Sequence, residues 1–165
     1  MPIINKVGDL LSEPEVNVLL HQANLHHVFG SGIAAAIKAK YPEAYDADCE
    51  TVKGDANKLG TYSKAMTTDG KMVVNVYSQT GMGAKDRNTS YNDIYTVFAA
   101  IEETVRLWND KNPTKEKVLG VPYRFGCGLA GGKYRIVLAI FEEVFKNSPV
   151  KLVIVRLASE PEIIL

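Results

Sequence analysis

Apolar and polar positions along the chain follow two repeats, one typical of buried strands and one typical of amphipathic helices. Short apolar runs bounded by turn residues predict strands over residues 3–7, 16–21, 61–66, 72–77, 118–121 and 150–157. Apolar residues three and four positions apart predict helices over residues 31–40, 43–49, 94–108 and 133–145. Strands and helices therefore alternate along most of the chain.

One pair of predicted strands is joined by a tight turn. An Asp-Gly dipeptide at residues 69–70 separates the strands at 61–66 and 72–77, and this dipeptide is a strong hairpin signal. A glycine-bearing loop over residues 79–89 follows the hairpin. The pattern predicts a single α/β domain over residues 1–165, with helices on both faces of a mixed sheet.

A glycine-rich segment follows the predicted strand at residues 118–121. Pro122 ends this strand, and glycines stand at positions 126, 128, 131 and 132 before the helical repeat begins. Glycine has no Cβ, so backbone N–H groups can converge on a ligand, and the N-terminus of the next helix adds partial positive charge. We call residues 126–132 the second glycine loop, and it predicts an anion-binding site.

The first glycine loop, residues 29–32, occupies the same place after the predicted strand that ends near residue 21. Its sequence is Phe-Gly-Ser-Gly, and Ser31 is a suitable N-cap for the helix that follows. Either loop alone is also compatible with a tight connection that binds nothing. Two such loops beyond the carboxyl ends of strands predict a ligand with two phosphates, or with a phosphate and a sugar.

Charge and composition argue against several classes of function. Lys plus Arg balance Asp plus Glu, so the formal net charge is zero, which argues against general binding to nucleic acids or to anionic membranes. No apolar run is long enough to span a membrane, and the first residues lack a signal-peptide layout, so we expect a cytoplasmic protein. Cys49 and Cys127 are too few for a disulfide framework or a cysteine zinc site, and neither a metal nor a cofactor is expected.

Several motifs occur in a defined order along the chain. They are Gly8-Asp9-Leu10, His21-Gln22-Ala23-Asn24, Phe29-Gly30-Ser31-Gly32-Ile33, the strand end Asn75 to Gln79, and Pro122 to Gly132. In this order they resemble macrodomains, the α/β family that binds ADP-ribose, and the resemblance covers nearly the whole chain. It is greatest to the branch that processes ADP-ribose 1″-phosphate, which has phage and bacterial members. It implies a three-layer α/β/α macrodomain with a central mixed sheet.

The resemblance also implies how ADP-ribose would lie. Asp9 would accept a hydrogen bond from the adenine amino group, Asn24 would bind the distal ribose, and the glycine loops would hold the ribose and the diphosphate through backbone N–H groups. Arg156 and Leu157 would flank the adenine. Without the resemblance, Asp9 and Asn24 are interpreted as loop caps and Arg156 as a solvated strand end. The implied ligand-contacting residues are Asp9, Leu10, Gln22, Ala23, Asn24, Gly30, Ser31, Gly32, Ile33, Ser78, Gln79, Phe125, Gly126, Cys127, Gly128, Leu129, Ala130, Arg156 and Leu157.

His21 and Asn24 are the catalytic residues that the resemblance implies. An imidazole can carry a proton near neutral pH, and a histidine in the matching H-x-x-N motif is implicated in the phosphatase-like relatives. The alternative is that His21 is a buried histidine satisfied by the backbone. Gln79 and Ala130 stand where glycohydrolase relatives carry a lysine and an aspartate, so the mechanism of those relatives is not expected here.

The resemblance to that branch, together with His21, implies an enzyme that hydrolyses the phosphate of ADP-ribose 1″-phosphate. Two alternatives stay open at this point. One is a binding module that recognises ADP-ribose, or ADP-ribosylated macromolecules, without turnover. The other is a hydrolase that removes ADP-ribose from protein or nucleic acid.

Overall fold

The computed structural model describes residues 2–82 and 86–164, so residues 83–85 of the loop predicted after the hairpin lie outside the described part. Its strands are β1 (Ile3–Val7), β2 (Val18–Asn24), β3 (Tyr62–Met66), β4 (Met72–Gln79), β5 (Leu119–Pro122) and β6 (Leu152–Arg156). Its helices are α1 (Gly32–Lys40), α2 (Pro42–Cys49), α3 (Tyr91–Lys111) and α4 (Tyr134–Phe145). Short 3₁₀ turns lie at Leu10–Ser12 and Ala56–Lys58.

The strands form a mixed six-stranded sheet. Their order is β1-β6-β5-β2-β4-β3, and every neighbouring pair is parallel except β3 and β4. The antiparallel pair is the predicted hairpin, and Thr67 N donates to Lys71 O over 2.7 Å to close its turn. The carboxyl ends of β1, β6, β5, β2 and β4 therefore meet at the same end of the sheet.

Helices cover both faces of the sheet and create two hydrophobic cores. Leu20 faces the core under α3 and α4, where the rings of Phe98 and Phe141 pack with centroids 4.8 Å apart. Leu19 faces the opposite core, where it joins Ile37 of α1. Burying each side chain of this size stabilises the fold by about 2 kcal/mol. The predicted three-layer α/β/α arrangement is confirmed. Among the described residues, no helix combines the length and the apolar character that a membrane span requires.

The position of β2 differs from the prediction. It begins at Val18 and continues to Asn24, because its pairing with β4 extends to Asn24 opposite Gln79. Backbone hydrogen bonds to β4 thus extend the strand over polar residues that the apolar pattern leaves out. Val16 lies outside the strand and packs over Gly120, where an added Cβ would lie 2.5 Å from Val16 Cγ1. The apolar character of Val16 reflects this core contact.

Candidate functional site

A cleft of about 810 Å³ opens at the carboxyl ends of the parallel strands. Its wall is built from the segments that follow β1, β2, β4, β5 and β6, which is where open α/β sheets bind ligands. The first glycine loop follows β2, the second follows β5, and both contribute to this wall. The fold thus brings together the two segments that the sequence pattern singles out.

The first glycine loop leads directly into α1. Ser31 has the extended backbone of an N-cap, with φ −151° and ψ 166°, yet its side chain makes no capping hydrogen bond. Among the described residues, no protein group accepts a hydrogen bond from the backbone N–H of Gly30, Ser31 or Gly32. The N–H groups at the start of α1 are therefore free to bind an anion in the cleft.

The second glycine loop is compact, and two of its positions, Gly126 and Gly132, require glycine. Gly132 N donates to Gly126 O over 3.0 Å, and a Cβ on Gly132 would lie 2.5 Å from that oxygen. Gly126 has a φ of +71°, in the left-handed region. Within residues 86–164 and 2–82, the backbone N–H groups of Gly128 and Leu129 find no protein acceptor. This loop therefore offers a second set of unbonded donors.

A row of polar side chains fixes the second glycine loop to the ends of β2 and β4. Ser78 Oγ donates to Gln22 Oε1 over 2.8 Å, and Gln22 Nε2 donates to Thr89 Oγ1 over 3.0 Å. Thr89 Oγ1 in turn donates to Gly126 O. Gln22 lies in the cleft wall, whereas Ser78 is fully buried behind it. Both side chains hold the loop in place.

Asn24 lies in the cleft wall and also caps the segment that follows β2. Its Nδ2 donates to Val28 O over 2.7 Å, and its Oδ1 accepts from His26 N over 2.9 Å. An amide nitrogen carries two hydrogens, so one remains for a ligand. The structure thus combines the loop cap with one amide hydrogen that is left at the cleft wall.

The side chain of His21 lies in the core and outside the cleft wall. It faces α1 and α2, is fully buried, and packs edge-on against Phe29 with ring centroids 5.1 Å apart. Burial lowers the pKa of His21 from 6.5 to about 4, although a hydrogen bond to Asn75 opposes this change. The imidazole is therefore neutral near pH 7, and it does not line the cleft in which the expected proton carrier would act.

His21 instead begins a row of buried hydrogen bonds. Asn75 Nδ2 donates to a backbone carbonyl of α2 over 2.9 Å and to Ser63 Oγ over 3.0 Å, so its Oδ1 accepts from His21 Nε2 over 2.6 Å. The hydroxyls of Ser63 and Tyr77 lie 2.7 Å apart, and Tyr77 donates to Asp48 Oδ1 over 2.6 Å. We call these five residues the buried polar chain. It ties β2, β4 and β3 to α2.

The end of the cleft beside β1 and β6 carries carboxylates. Asp9 Oδ1 accepts from Leu11 N over 3.0 Å and caps the 3₁₀ turn after β1, which leaves Oδ2 for a ligand. Arg156 lies outside the wall, because its Nη1 donates to Glu160 O over 2.7 Å. The contact of this guanidinium with adenine stays a prediction. Leu157 and Glu160 line this end of the cleft.

Most of the site residues implied by the resemblance lie around this cleft. Those in its wall are Asp9, Leu10, Gln22, Ala23, Asn24, Gly30, Ser31, Gly32, Ile33, Gln79, Phe125, Gly126, Gly128, Leu129, Ala130 and Leu157. Those outside it are His21, Ser78, Cys127 and Arg156. Cys127 is buried and its Sγ donates to Phe125 O over 3.2 Å. Burial raises the pKa of this thiol to about 11, so Cys127 is a packing residue.

The cleft wall also contains residues that sequence reasoning missed. Arg124 has a left-handed backbone with φ +60°, and its Nη2 donates to Cys127 O over 2.9 Å, within the second glycine loop. Its place between Pro122 and that loop is the signal that could have identified it. Glu160 follows the last predicted strand, where no periodic pattern marks it. The other missed residues include Val28, Phe29, Met82 and Tyr123.

Sequence comparisons find similarity to a phage protein and to part of a phosphatase. No protein-family model matches the chain. The chain is 28% identical over 141 residues to the uncharacterized 17.5 kDa protein in the tk-vs intergenic region of Enterobacteria phage T4, which is 83% of this chain and 84% of the phage protein. It is 48% identical over 46 residues to the ADP-ribose 1″-phosphate phosphatase of Ajellomyces capsulatus, which is 27% of this chain and 18% of that protein.

Solved structures share the architecture described above. The macrodomain of Mycobacterium tuberculosis DarG matches with a TM-score of 0.72 and 23% identity, over 93% of this chain and 96% of that chain. Thermosipho africanus DarTG in complex with ADP-ribose matches with a TM-score of 0.67 and 20% identity, over 96% of this chain and 43% of that chain. This protein has the macrodomain fold, as the order of its motifs predicts.

Proposed function

We propose that this protein binds ADP-ribose, or a derivative of it, in the cleft at the carboxyl ends of the strands. The observation that carries the proposal is the pair of glycine loops: both line one cleft beside the uncapped start of α1, and several of their N–H groups have no acceptor among the described residues. Such donors hold phosphates without a cationic side chain. The likeness to a DarTG structure that contains ADP-ribose supports this choice of ligand.

The distribution of charge along the cleft supports one orientation of the ligand. The diphosphate belongs at the glycine loops, where the donors are. The adenosine belongs at the end beside β1 and β6, where Asp9 Oδ2 can accept a hydrogen bond from the adenine amino group. The distal ribose then lies near Asn24 and Gln79.

Calorimetric titration with ADP-ribose tests the proposal, with ADP, AMP and ribose 5-phosphate as fragments. Gly30→Glu places a carboxylate at the first glycine loop, where the one described atom near an added Cβ is Val28 Cγ1, at 3.5 Å. This change should weaken ADP-ribose binding by about a hundredfold, because like charges are repelled. The matched control is Val52→Glu, at an exposed residue outside the cleft wall, which should leave binding unchanged. Equal losses in both variants, or no binding by the wild type, would overturn the proposal.

A second candidate function is hydrolysis of ADP-ribose 1″-phosphate, favoured by the 46-residue similarity to a phosphatase of that name. Water would attack the phosphorus, the bond from phosphorus to the 1″ oxygen would break, and that oxygen would take a proton to give ADP-ribose and inorganic phosphate. The loop N–H groups would stabilise the phosphoryl oxygens. In the described part of the wall, the segments after β2 and β4 carry no titratable side chain, so Asn24 would orient the water.

Phosphate release from ADP-ribose 1″-phosphate tests this second candidate. Asn24→Ala should slow release by at least about tenfold, since it removes the positioning amide. His21→Gln should retain the rate per folded molecule, because His21 lies outside the cleft wall. If the wild type binds ADP-ribose and releases no phosphate, the protein acts as a binding module. ADP-ribosylated protein and ADP-ribosylated DNA are then the ligands to titrate, with release of ADP-ribose as the sign of a hydrolase.

A further inference from the structure

The segment after β6 folds back over the ends of β5 and β6. Arg156 Nη1 donates to Glu160 O over 2.7 Å, and Arg156 Nη2 lies 3.9 Å from Glu162 Oε2. Ile163 N donates to the hydroxyl of Tyr123 over 2.6 Å. We call residues 158–164 the tail. Two side chains at strand ends thus fix the tail to the body of the protein.

The tail places a second carboxylate at one end of the cleft. Glu160 lies in the cleft wall, and β6 neighbours β1, with Gly8 N donating to Arg156 O over 2.9 Å. Glu160 and Asp9 therefore line the same end. Among the described wall residues the remaining charged side chain is Arg124, which donates to the carbonyl of Cys127 in the second glycine loop. The end beside β1 and β6 is therefore acidic, whereas the loops at the middle of the cleft offer donors.

We propose that Glu160, held in place by Arg156, makes this cleft select against ligands that carry an additional phosphate on the adenosine ribose. This inference rests on the proposed function, which places the adenosine at the acidic end. A carboxylate there can accept a hydrogen bond from a neutral amino or hydroxyl group. A phosphate at the same place carries close to two negative charges and is repelled by both Glu160 and Asp9. ADP-ribose is therefore the preferred ligand over its 2′-phosphate.

Calorimetric titration with ADP-ribose and with ADP-ribose 2′-phosphate tests the proposal. The wild type should bind the 2′-phosphate at least about tenfold more weakly than ADP-ribose. Glu160→Gln should reduce the ratio of the two dissociation constants by at least about threefold. The matched control is Glu162→Gln, which removes the same charge from the same tail. Its side chain is 76% exposed and outside the cleft wall, so it should leave the ratio unchanged.

Arg156 acts as a positioning residue, and a double-mutant cycle separates this role from a general effect on folding. Arg156→Lys keeps the positive charge and loses the guanidinium that donates to Glu160 O, so it should narrow the ratio of the two affinities as Glu160→Gln does, and combining the two should narrow it no further. Raising the salt concentration should also narrow the ratio in the wild type, because the repulsion is electrostatic.

Each outcome of these titrations decides a separate point. A wild type that binds both ligands equally, or a Glu160→Gln variant with an unchanged ratio, overturns the inference and leaves the proposed function intact. If Glu162→Gln changes the ratio of the two affinities as much as Glu160→Gln does, the effect comes from long-range charge, and the inference about Glu160 is also overturned. A wild type that binds neither ligand overturns the inference together with the proposed function.

Discussion

The cleft and the buried polar chain both include residues of β2, yet they differ in whether their hydrogen-bond donors have protein acceptors. In the buried polar chain each donor is aimed at a protein acceptor, from His21 through Asn75 to Tyr77 and Asp48. In the cleft the N–H groups of Gly30, Gly128 and Leu129 have no acceptor among the described residues. Backbone donors that lack a protein acceptor and belong to the cleft wall are the ones available to a ligand.

The same comparison separates His21 from Asn24, which are three positions apart in the sequence. Successive side chains of a strand point to opposite faces, so His21 enters the core under α1 and α2. Asn24 lies at the end of the strand, where the sheet opens into the cleft. When helices cover both faces of a strand, a polar residue in the middle of the strand makes its hydrogen bonds inside the core. A polar residue at the carboxyl end of the same strand borders the cleft and is available to a ligand.

Tyr77→Phe gives the largest expected effect, because it deletes one atom from the middle of the buried polar chain. Asp48 Oδ1 loses its donor, and Asp48 Oδ2 already has no partner among the described residues. We expect the free energy of unfolding to fall by about 3 kcal/mol, the cost of leaving a buried polar group unsatisfied. Urea titration followed by circular dichroism measures this change. The affinity of the folded protein for ADP-ribose should not change.

Ser31→Ala is the control for that experiment on the cleft side. The Ser31 side chain is exposed and makes no capping hydrogen bond, so its loss should alter the free energy of unfolding by less than about 0.5 kcal/mol. Equal destabilisation by the two substitutions would remove the distinction between the two regions.

The pH dependence of stability gives the next effect in size. The pKa of His21 is about 4 in the folded protein and 6.5 when the side chain is free in water. Between these values the unfolded chain binds a proton that the folded chain does not, so stability falls as the pH falls. From about pH 8 to about pH 5 the loss through His21 is about 2 kcal/mol.

His21→Gln isolates this contribution, because an amide can donate to Asn75 Oδ1 but does not titrate in this range. The difference between the urea midpoints of wild type and variant should therefore depend on pH, with the wild type losing more stability in acid. Parallel curves for the two proteins would show that His21 is not the group responsible.

Much of the fold follows from the sequence, because local patterns determine it. The Asp-Gly turn, the alternation of strands and helices, and the two glycine loops all depend on neighbouring residues. The buried polar chain could not be predicted, because His21, Ser63 and Asp48 meet only after β2, β3 and α2 have packed. One signal was present, however. The run around His21 is apolar on both faces, and such a run marks a strand that is buried on both sides.

The acidic end of the cleft also contains contacts that local sequence patterns do not predict. Asp9 was identified from its motif, and its loop cap is a local interaction that sequence reasoning can weigh. The place of Arg156 depends on the path of the tail after β6, which carries no hydrophobic repeat. Glu160 was missed for this reason, and the contact of Arg156 with adenine stays a prediction.

Gly128→Ala should give the smallest change in the free energy of unfolding, and it separates an effect on binding from an effect on stability. A Cβ on Gly128 would have no atom of the described residues within 4 Å, and its φ is not in the left-handed region, so alanine fits there without strain. The substitution should raise the free energy of unfolding by about 0.5 kcal/mol, because it restricts the unfolded chain. The added methyl group enters the space beside the loop donors and should weaken ADP-ribose binding by about tenfold, or about 1.4 kcal/mol.

Gly132→Ala, in the same loop, is the contrasting control. Its Cβ would lie 2.5 Å from Gly126 O, so the loop must deform and the free energy of unfolding should fall. Calorimetric titration gives the affinity of each variant for ADP-ribose, and urea unfolding gives the free energy of unfolding of each. If Gly128→Ala bound ADP-ribose as tightly as the wild type, the second glycine loop would not contact the ligand. Its unbonded N–H groups would then need another explanation, since a main-chain donor without an acceptor is stable only where water or a ligand can reach it.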